Sequence, residues 1–108
     1  MTEAQQREAL ANYRKTIQTA FQEVSSSLAD YEKNREQRAQ EELLVQALQG
    51  TDRLSTLRYK GGIDTYLQVL DAERNEFSGE LTLAQLRKNE LLSLVQLYRA
   101  LGGGWQNP

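Results

Sequence analysis

Apolar residues in the first half of the chain return every three or four positions, at Leu10, Tyr13, Ile17, Ala20/Phe21, Val24, Leu28 and Tyr31. That is the period of a helix lying along a partner helix. From Thr2 to Tyr59 the sequence is rich in Ala, Glu, Gln, Arg, Leu and Lys, with no Pro and with Gly50 as the only residue that strongly resists helix. Thr2-Glu3-Ala4-Gln5 has the form of a capping box, so one long helix is predicted from about residue 2 to about residue 60. Lys60-Gly61-Gly62-Ile63-Asp64 breaks the pattern: adjacent glycines supply a left-handed helix end and a turn at about 61–64. Thr65-Tyr66-Leu67-Gln68 is a second capping box, with Asp64 as a competing N-cap. Leu67, Leu70, Arg74, Phe77, Leu81, Ala84, Lys88, Leu91, Val95 and Tyr98 then alternate in steps of three and four. They predict a second helix from about 65 to 101 whose seam faces the first. Leu101-Gly102-Gly103-Gly104 ends it, and 102–108 read as an irregular tail. The expected fold is all-α: a long antiparallel coiled-coil helical hairpin, one long helix and one shorter joined by a tight Gly-Gly turn, forming a single unit over 1–108.

The two arms are unequal. At 1.5 Å per residue the first helix runs roughly 85–90 Å and the second roughly 55 Å. Counted back from the turn, residue 101 falls opposite roughly residue 24, so Leu10, Tyr13, Ile17 and Phe21 are patterned for a partner that this chain does not supply. Without one, that segment is expected to fray or to pair between chains. The second helix also carries a second stripe, Leu83, Leu86, Leu94, Leu97 and Leu101, about 200° around the wheel from Leu81, Ala84 and Leu91. A hairpin needs one seam, and a helix apolar on two sides belongs in a wall or bundle. The second stripe is therefore assigned to a neighbour outside the hairpin.

Composition narrows the chemistry. The 108 residues include no Cys, no His and one Pro, with 39% apolar and 26% charged residues. This excludes a disulfide scaffold, a Cys/His zinc site, a His-based triad and a transmembrane helix, and it leaves a thin seam for a core. Thirteen basic against fifteen acidic residues are interspersed to a net charge of −2, which argues against nucleic acid or an anionic membrane as partner. Met1 is followed by no recognisable targeting segment. Glu32 to Glu42 holds seven charges in eleven residues, with Ala39 its only apolar member. It reads as a solvated face with Arg38 and Glu42 attracting at i,i+4, the sharper alternative being a stretch that lines water within an assembly.

Catalysis finds no footing. Ser25-Ser26-Ser27 lacks a base, and Lys33 would lie on another face. The pairs Glu32/Glu36 and Glu73/Glu76 could form only a carboxylate metal box, and such surface pairs are ordinarily just charge. Gly61-Gly62 has neither the preceding strand nor the following Lys of a phosphate loop. No enzyme activity, cofactor or metal is expected. The turn remains: two tyrosines, Tyr59 and Tyr66, with Ile63 and mixed charge beside flexible glycines. They are either ordinary turn chemistry or a docking surface rich in contact area.

Arg58 to Arg74, RYKGGIDTYLQVLDAER, resembles the R-Y-x-x-G-x-x-x-Y/F-L-x-V-L-D-A-x-R signature of bacterial outer-membrane efflux proteins, the TolC/OprM-like channels of tripartite export systems. Tyr13-Arg14-Lys15-Thr16-Ile17 with Phe21-Gln22-Glu23-Val24 and Leu28-Ala29 resembles a second family segment, and Leu97-Tyr98-Arg99-Ala100-Leu101-Gly102-Gly103-Gly104-Trp105 a third. The resemblance implies a C-terminal periplasmic fragment of a trimeric channel, with the outer-membrane β-barrel absent because no alternating ten-residue strand occurs. It implies that the hairpin is part of an α-helical barrel, that the Leu10 to Phe21 stripe faces a missing helix, and that the second stripe of the shorter helix faces the next hairpin.

By the same resemblance, the tip Tyr59, Lys60, Gly61, Gly62, Ile63, Asp64 and Thr65 docks a periplasmic adaptor (membrane fusion) protein, which links the channel indirectly to an inner-membrane pump. Tyr59 and Asp71 fall on gate positions. Asp64 departs from members with a basic residue just after the turn, so an inter-hairpin network using that base does not carry over. The fragment itself is not expected to sit in the membrane. Two rivals are a self-contained antiparallel coiled-coil oligomerisation or adaptor module with no transport role, and the hairpin of an adaptor protein, whose usual β-rich flanks are missing here.

Overall fold

A computed structural model of the chain describes residues 2–102. Residues Gly103 to Pro108, which carry most of the expected tail and the end of the third motif, lie outside the described residues. Helix α1 spans Glu3–Lys60 and helix α2 Tyr66–Gly102. Gly102 closes the last turn of α2 rather than opening the tail. No strand occurs among the described residues, and the all-α hairpin follows as expected. At the start of α1 the capping box closes in both directions: the Thr2 N–H donates to Gln5 Oε1 at 3.0 Å, and the Gln5 N–H to Thr2 Oγ1 at 3.2 Å. At the start of α2, the Gln68 N–H goes instead to the backbone carbonyl of Thr65 at 3.2 Å.

Packing divides the chain into two units, Lys33–Leu91 on the one hand and Met1–Glu32 with Leu92–Pro108 on the other. Within Lys33–Leu91, α1 withdraws Asn34, Arg38, Glu41, Val45, Leu48, Asp52 and Ser55 from solvent, and α2 withdraws Val69, Ala72, Glu76, Gly79, Leu83, Leu86 and Glu90. Both sets advance by alternating threes and fours, so this is a heptad seam. Cross-helix bonds fix the antiparallel register: Arg38 to Glu90, Arg87 to Glu42 and Gln49 to Glu80 step down α1 as they step up α2. Within the other unit, Val24, Ser27 and Tyr31 of α1 and Ser93, Leu97 and Ala100 of α2 are buried or half-buried with the same spacing, and Leu94 beside them is half-buried. Of the apolar side chains described, only Val45, Val69, Ala72 and Leu83 are buried, so the core is the thin seam that the composition implies.

Two expectations are corrected. The stripe Leu67, Leu70, Phe77, Leu81, Leu91, Val95 and Tyr98 was assigned to the hairpin seam, yet all of these residues are exposed. Leu83, Leu86, Leu94 and Leu97, assigned to an outside neighbour, are instead turned inward, while Leu101 is exposed. The cause is visible in the seam itself, where the line through Leu83 and Leu86 also carries Glu76, Gly79, Glu90 and Ser93. Polar and small residues there weaken the apolar signal on the side that packs. The second correction concerns Glu32 to Glu42, which is only partly a solvated face: Asn34, Arg38, Glu41 and Glu42 are half-buried.

Residues 3–23 of α1 are helical and every one of them is exposed, including Leu10, Tyr13, Ile17 and Phe21. Among the described residues nothing covers that stripe, and the segment is a continuous helix where fraying or pairing between chains was the expectation. Strong helix formers, the closed capping box and propagation from packed turns account for it.

Gly79 sets how closely the helices approach. A Cβ built there meets Leu48 Cδ1 at 2.7 Å and Val45 Cγ2 at 3.5 Å. For Gly79→Ala, a helix-propensity gain of about 1 kcal/mol offsets the displacement of one flexible Leu48 methyl, and the net change in stability should be within about 1 kcal/mol of zero. Gly79→Leu has no such room and should destabilise by about 1–3 kcal/mol, read as the difference in chemical-denaturation midpoint between the two variants.

Candidate functional site

The turn is built from three backbone bonds that end α1. The Ile63 N–H donates to the Arg58 carbonyl at 2.9 Å, the Gly62 N–H to the Tyr59 carbonyl at 3.0 Å, and the Gly61 N–H to the Leu57 carbonyl at 3.0 Å. The first two are the paired bonds of a Schellman motif with Gly62 as its left-handed residue, at φ 77°. Of the two glycines, Gly62 is the one that the conformation requires. A fourth amide, that of Asp64, reaches the same Arg58 carbonyl at 3.3 Å.

Side chains brace this backbone. Arg58 Nε meets Asp64 Oδ2 at 2.8 Å across the turn. The charge of Asp64 is thus paired within its own turn. The rings of Tyr59 and Tyr66 lie with centroids 5.3 Å apart and planes tilted by 53°, a favourable aromatic geometry joining the last turn of α1 to the first of α2. Lys60, Gly61, Gly62, Ile63 and Thr65 are exposed, Ile63 to 70%, and Asp64 is half-buried. The structure therefore gathers all seven tip residues into one short surface.

The two gate candidates are not joined in this way. Tyr59 is engaged with Tyr66. Asp71 is exposed and lines a shallow dip with Leu67, Gln68, Leu70 and Arg74 on α2. Those neighbours include the outward apolar stripe, so Asp71 belongs to the surface away from the seam.

Two polar layers of the seam went unrecognised in the sequence. In the first, Arg38 Nε bonds Glu90 Oε2 at 2.6 Å, Arg38 Nη1 bonds Glu42 Oε2 at 3.1 Å, and Arg87 Nη2 bonds Glu42 Oε1 at 3.1 Å. The Arg38–Glu42 attraction read from i,i+4 spacing is present, and Glu90 and Arg87 extend it across the helices. The hydrogen bond to Glu90 is the main cause holding the Arg38 guanidinium's pKa above its usual value. The hydrogen bond from Arg87, joined by the charge of Arg38, holds Glu42 below the usual carboxylate range against an opposing desolvation. In the second layer the antiparallel register that sets Arg38 opposite Glu90 also sets Asp52 opposite Glu76, with Glu80 nearby. Hydrogen bonding with Asp52, followed by desolvation and the carboxylate charges, pushes Glu76 up to about 7. The available signal was charge recurring at seven-residue phase with the seam positions, rather than apolar content.

No group of His, Cys, Asp or Glu among the described residues has the arrangement of a metal site. Among the described residues no helix is long and apolar enough to cross a membrane.

Two outcomes test these assignments. Gly62→Ala should destabilise the hairpin by about 1 kcal/mol through its left-handed backbone, while Gly61→Ala should be close to neutral, as read by thermal unfolding. Arg38→Met should lower stability at neutral pH. Because Glu42 is held below its usual range, its contribution is present above about pH 4.5 and is lost as pH falls through the folded value. The gap between Arg38→Met and the unaltered chain should therefore narrow on acidification.

Residues 1–103 match the family described as outer membrane efflux protein. A probable efflux pump outer membrane protein, TtgC, of Pseudomonas putida is 52% identical over 96 residues, which cover 89% of this chain and 20% of the relative. The solvent efflux pump outer membrane protein SrpC of Pseudomonas putida is 42% identical over 103 residues, 95% of this chain and 22% of the relative. The outer membrane protein OprJ of Pseudomonas aeruginosa is 37% identical over 105 residues, 97% of this chain and 22% of the relative. The chain thus spans about a fifth of the length of these relatives. A hairpin that carries the three resembling segments in register, and a match running through nearly all of its length, place this chain in the outer membrane efflux protein family.

Proposed function

We propose that this hairpin is a periplasmic segment of a trimeric outer-membrane efflux channel, and that its turn docks the hairpin tip of a periplasmic adaptor protein that connects the channel to an inner-membrane pump. The observation that carries the reading is the turn itself. A Schellman closure with Gly62 at its left-handed position, braced by Arg58–Asp64 and Tyr59–Tyr66, presents Lys60, Gly61, Gly62, Ile63 and Thr65 outward on a fixed backbone. Glycine pairs without side chains leave room for another chain to approach closely, and Tyr59 and Ile63 offer apolar contact area beside them.

In this reading the outward stripe from Leu67 to Tyr98, rather than the inner Leu83 line, meets the neighbouring hairpin, and the exposed Leu10 to Phe21 stripe meets a helix contributed from elsewhere in the protein. Tyr59 and Asp71 stand near the closed end of the channel. Since Tyr59 is committed to its own Tyr66 and Asp71 faces away from the seam, the gate works between hairpins rather than within one. Adaptor contacts that fit a splayed arrangement better than a closed one shift the population toward open by that difference in affinity.

The test places Gly62→Trp in the full-length channel and measures susceptibility of cells to exported compounds at matched expression. Loss of efflux is expected; undiminished efflux at normal channel levels rules out docking at the turn.

A further inference from the structure

The Asp52–Glu76 layer differs in kind from the Arg38 layer of the same seam. Both residues are half-buried at heptad positions of the seam, and the register of Arg38 with Glu90 and of Gln49 with Glu80 sets them opposite each other. No Lys or Arg among the described residues pairs with either of them; the cross-seam cations serve Glu42 and Glu90 instead. Asp52 Oδ1 is buried and accepts no hydrogen bond. On the α1 side the neighbouring polar groups are Gln49, Arg53 and Thr56. Gln49 Nε2 is turned to Glu80 Oε1 at 3.5 Å, and Arg53 is exposed. On the α2 side they are Glu73, Arg74 and Glu80, all exposed, and Glu80 adds a further negative charge to the layer.

Two carboxyl groups can hydrogen-bond to each other only with a proton between them, and once both are ionised at such short range they repel. The geometry points to a proton-operated clasp: with one proton shared, Asp52 and Glu76 join α1 to α2, and with both ionised they push the helices apart at that layer. Next to it stand the close approach of Gly79 to Leu48 and Val45 on one side and the buried Ala72 on the other, so the repulsion acts where the helices lie close together. Helix contact at this layer should therefore tighten in acid and loosen in alkali. The sign follows from the direction of the Glu76 shift. A carboxyl raised to about 7 contributes stability that is fully present below its ordinary value of 4.5 and is lost as pH rises through about 7. This is opposite in sense to Glu42, whose contribution is lost in acid. The clasp depends on the seam alone and stands or falls separately from any role in a channel.

Carboxyl-carbon NMR titration of the intact 108-residue chain tests it, together with thermal unfolding at about pH 5.5 and about pH 8.5. The expected results are a Glu76 midpoint at least about one unit above those of the exposed glutamates, a fall of that midpoint toward the ordinary value in Asp52→Asn, and loss of most of the difference in melting temperature between the two pH values in Glu76→Gln. A Glu76 that titrates together with the exposed glutamates overturns the clasp, as does a melting profile that keeps its full pH dependence in Glu76→Gln. Should Glu76→Gln fail to fold, the titrations of the unaltered chain and of Asp52→Asn decide the matter on their own.

Discussion

Two helices meeting in alternating steps of three and four must fill the line between them, and here much of that line is polar. In the Lys33–Leu91 unit, Asn34, Arg38, Glu41, Asp52, Glu76 and Glu90 share the seam with Val45, Leu48, Val69, Ala72 and Leu83. A charge withdrawn from water is tolerated only with a partner in good geometry. Arg38 has two carboxylates to satisfy its guanidinium, and Glu42 has two arginines. Sliding α2 by one heptad would set Arg38 against Leu83 instead of Glu90, leaving a half-buried cation beside an apolar side chain. The ion cluster thus selects one register out of several that apolar residues alone would allow, at some cost in burial.

That choice explains why so much apolar surface faces outward. The seam spends its positions on charges, glycine and serine, and the large side chains Leu67, Phe77, Leu81, Leu91 and Tyr98 stay on the far side of α2. On α1, Leu10, Tyr13, Ile17 and Phe21 are likewise uncovered. Contiguous apolar lines of this kind on a protein otherwise rich in charge mark surfaces built for a partner.

The helices and the turn were legible because their signals are local. Thr2 and Gln5 close the expected box, the Gly61-Gly62 pair ends α1 where it should, and three- and four-residue spacing marks both helices. Which side of α2 packs was not legible. Periodicity reports that a stripe exists but says nothing of what covers it, and the stronger apolar stripe proved to be the outward one. Gly79 gave no sign either, since a lone glycine inside a helix reads as a weak point until a neighbour such as Leu48 is known to press against it. The seven tip residues could be placed from the sequence because they are consecutive. The Asp52–Glu76 layer could not, because the two residues meet only once the antiparallel register is set.

The closure of the turn constrains whatever meets it. The amides of Gly61, Gly62, Ile63 and Asp64 are all committed to carbonyls of α1, so no backbone donor in that stretch is left to grip an incoming chain. Recognition there must rest on the outward carbonyls, the Lys60 ammonium and the shape left bare by two missing side chains. In exchange the loop is preorganised: its ordering entropy is spent when the hairpin folds, and association need not supply it a second time. In the proposed docking, selectivity comes from steric fit, which tolerates small residues in a partner and rejects bulky ones.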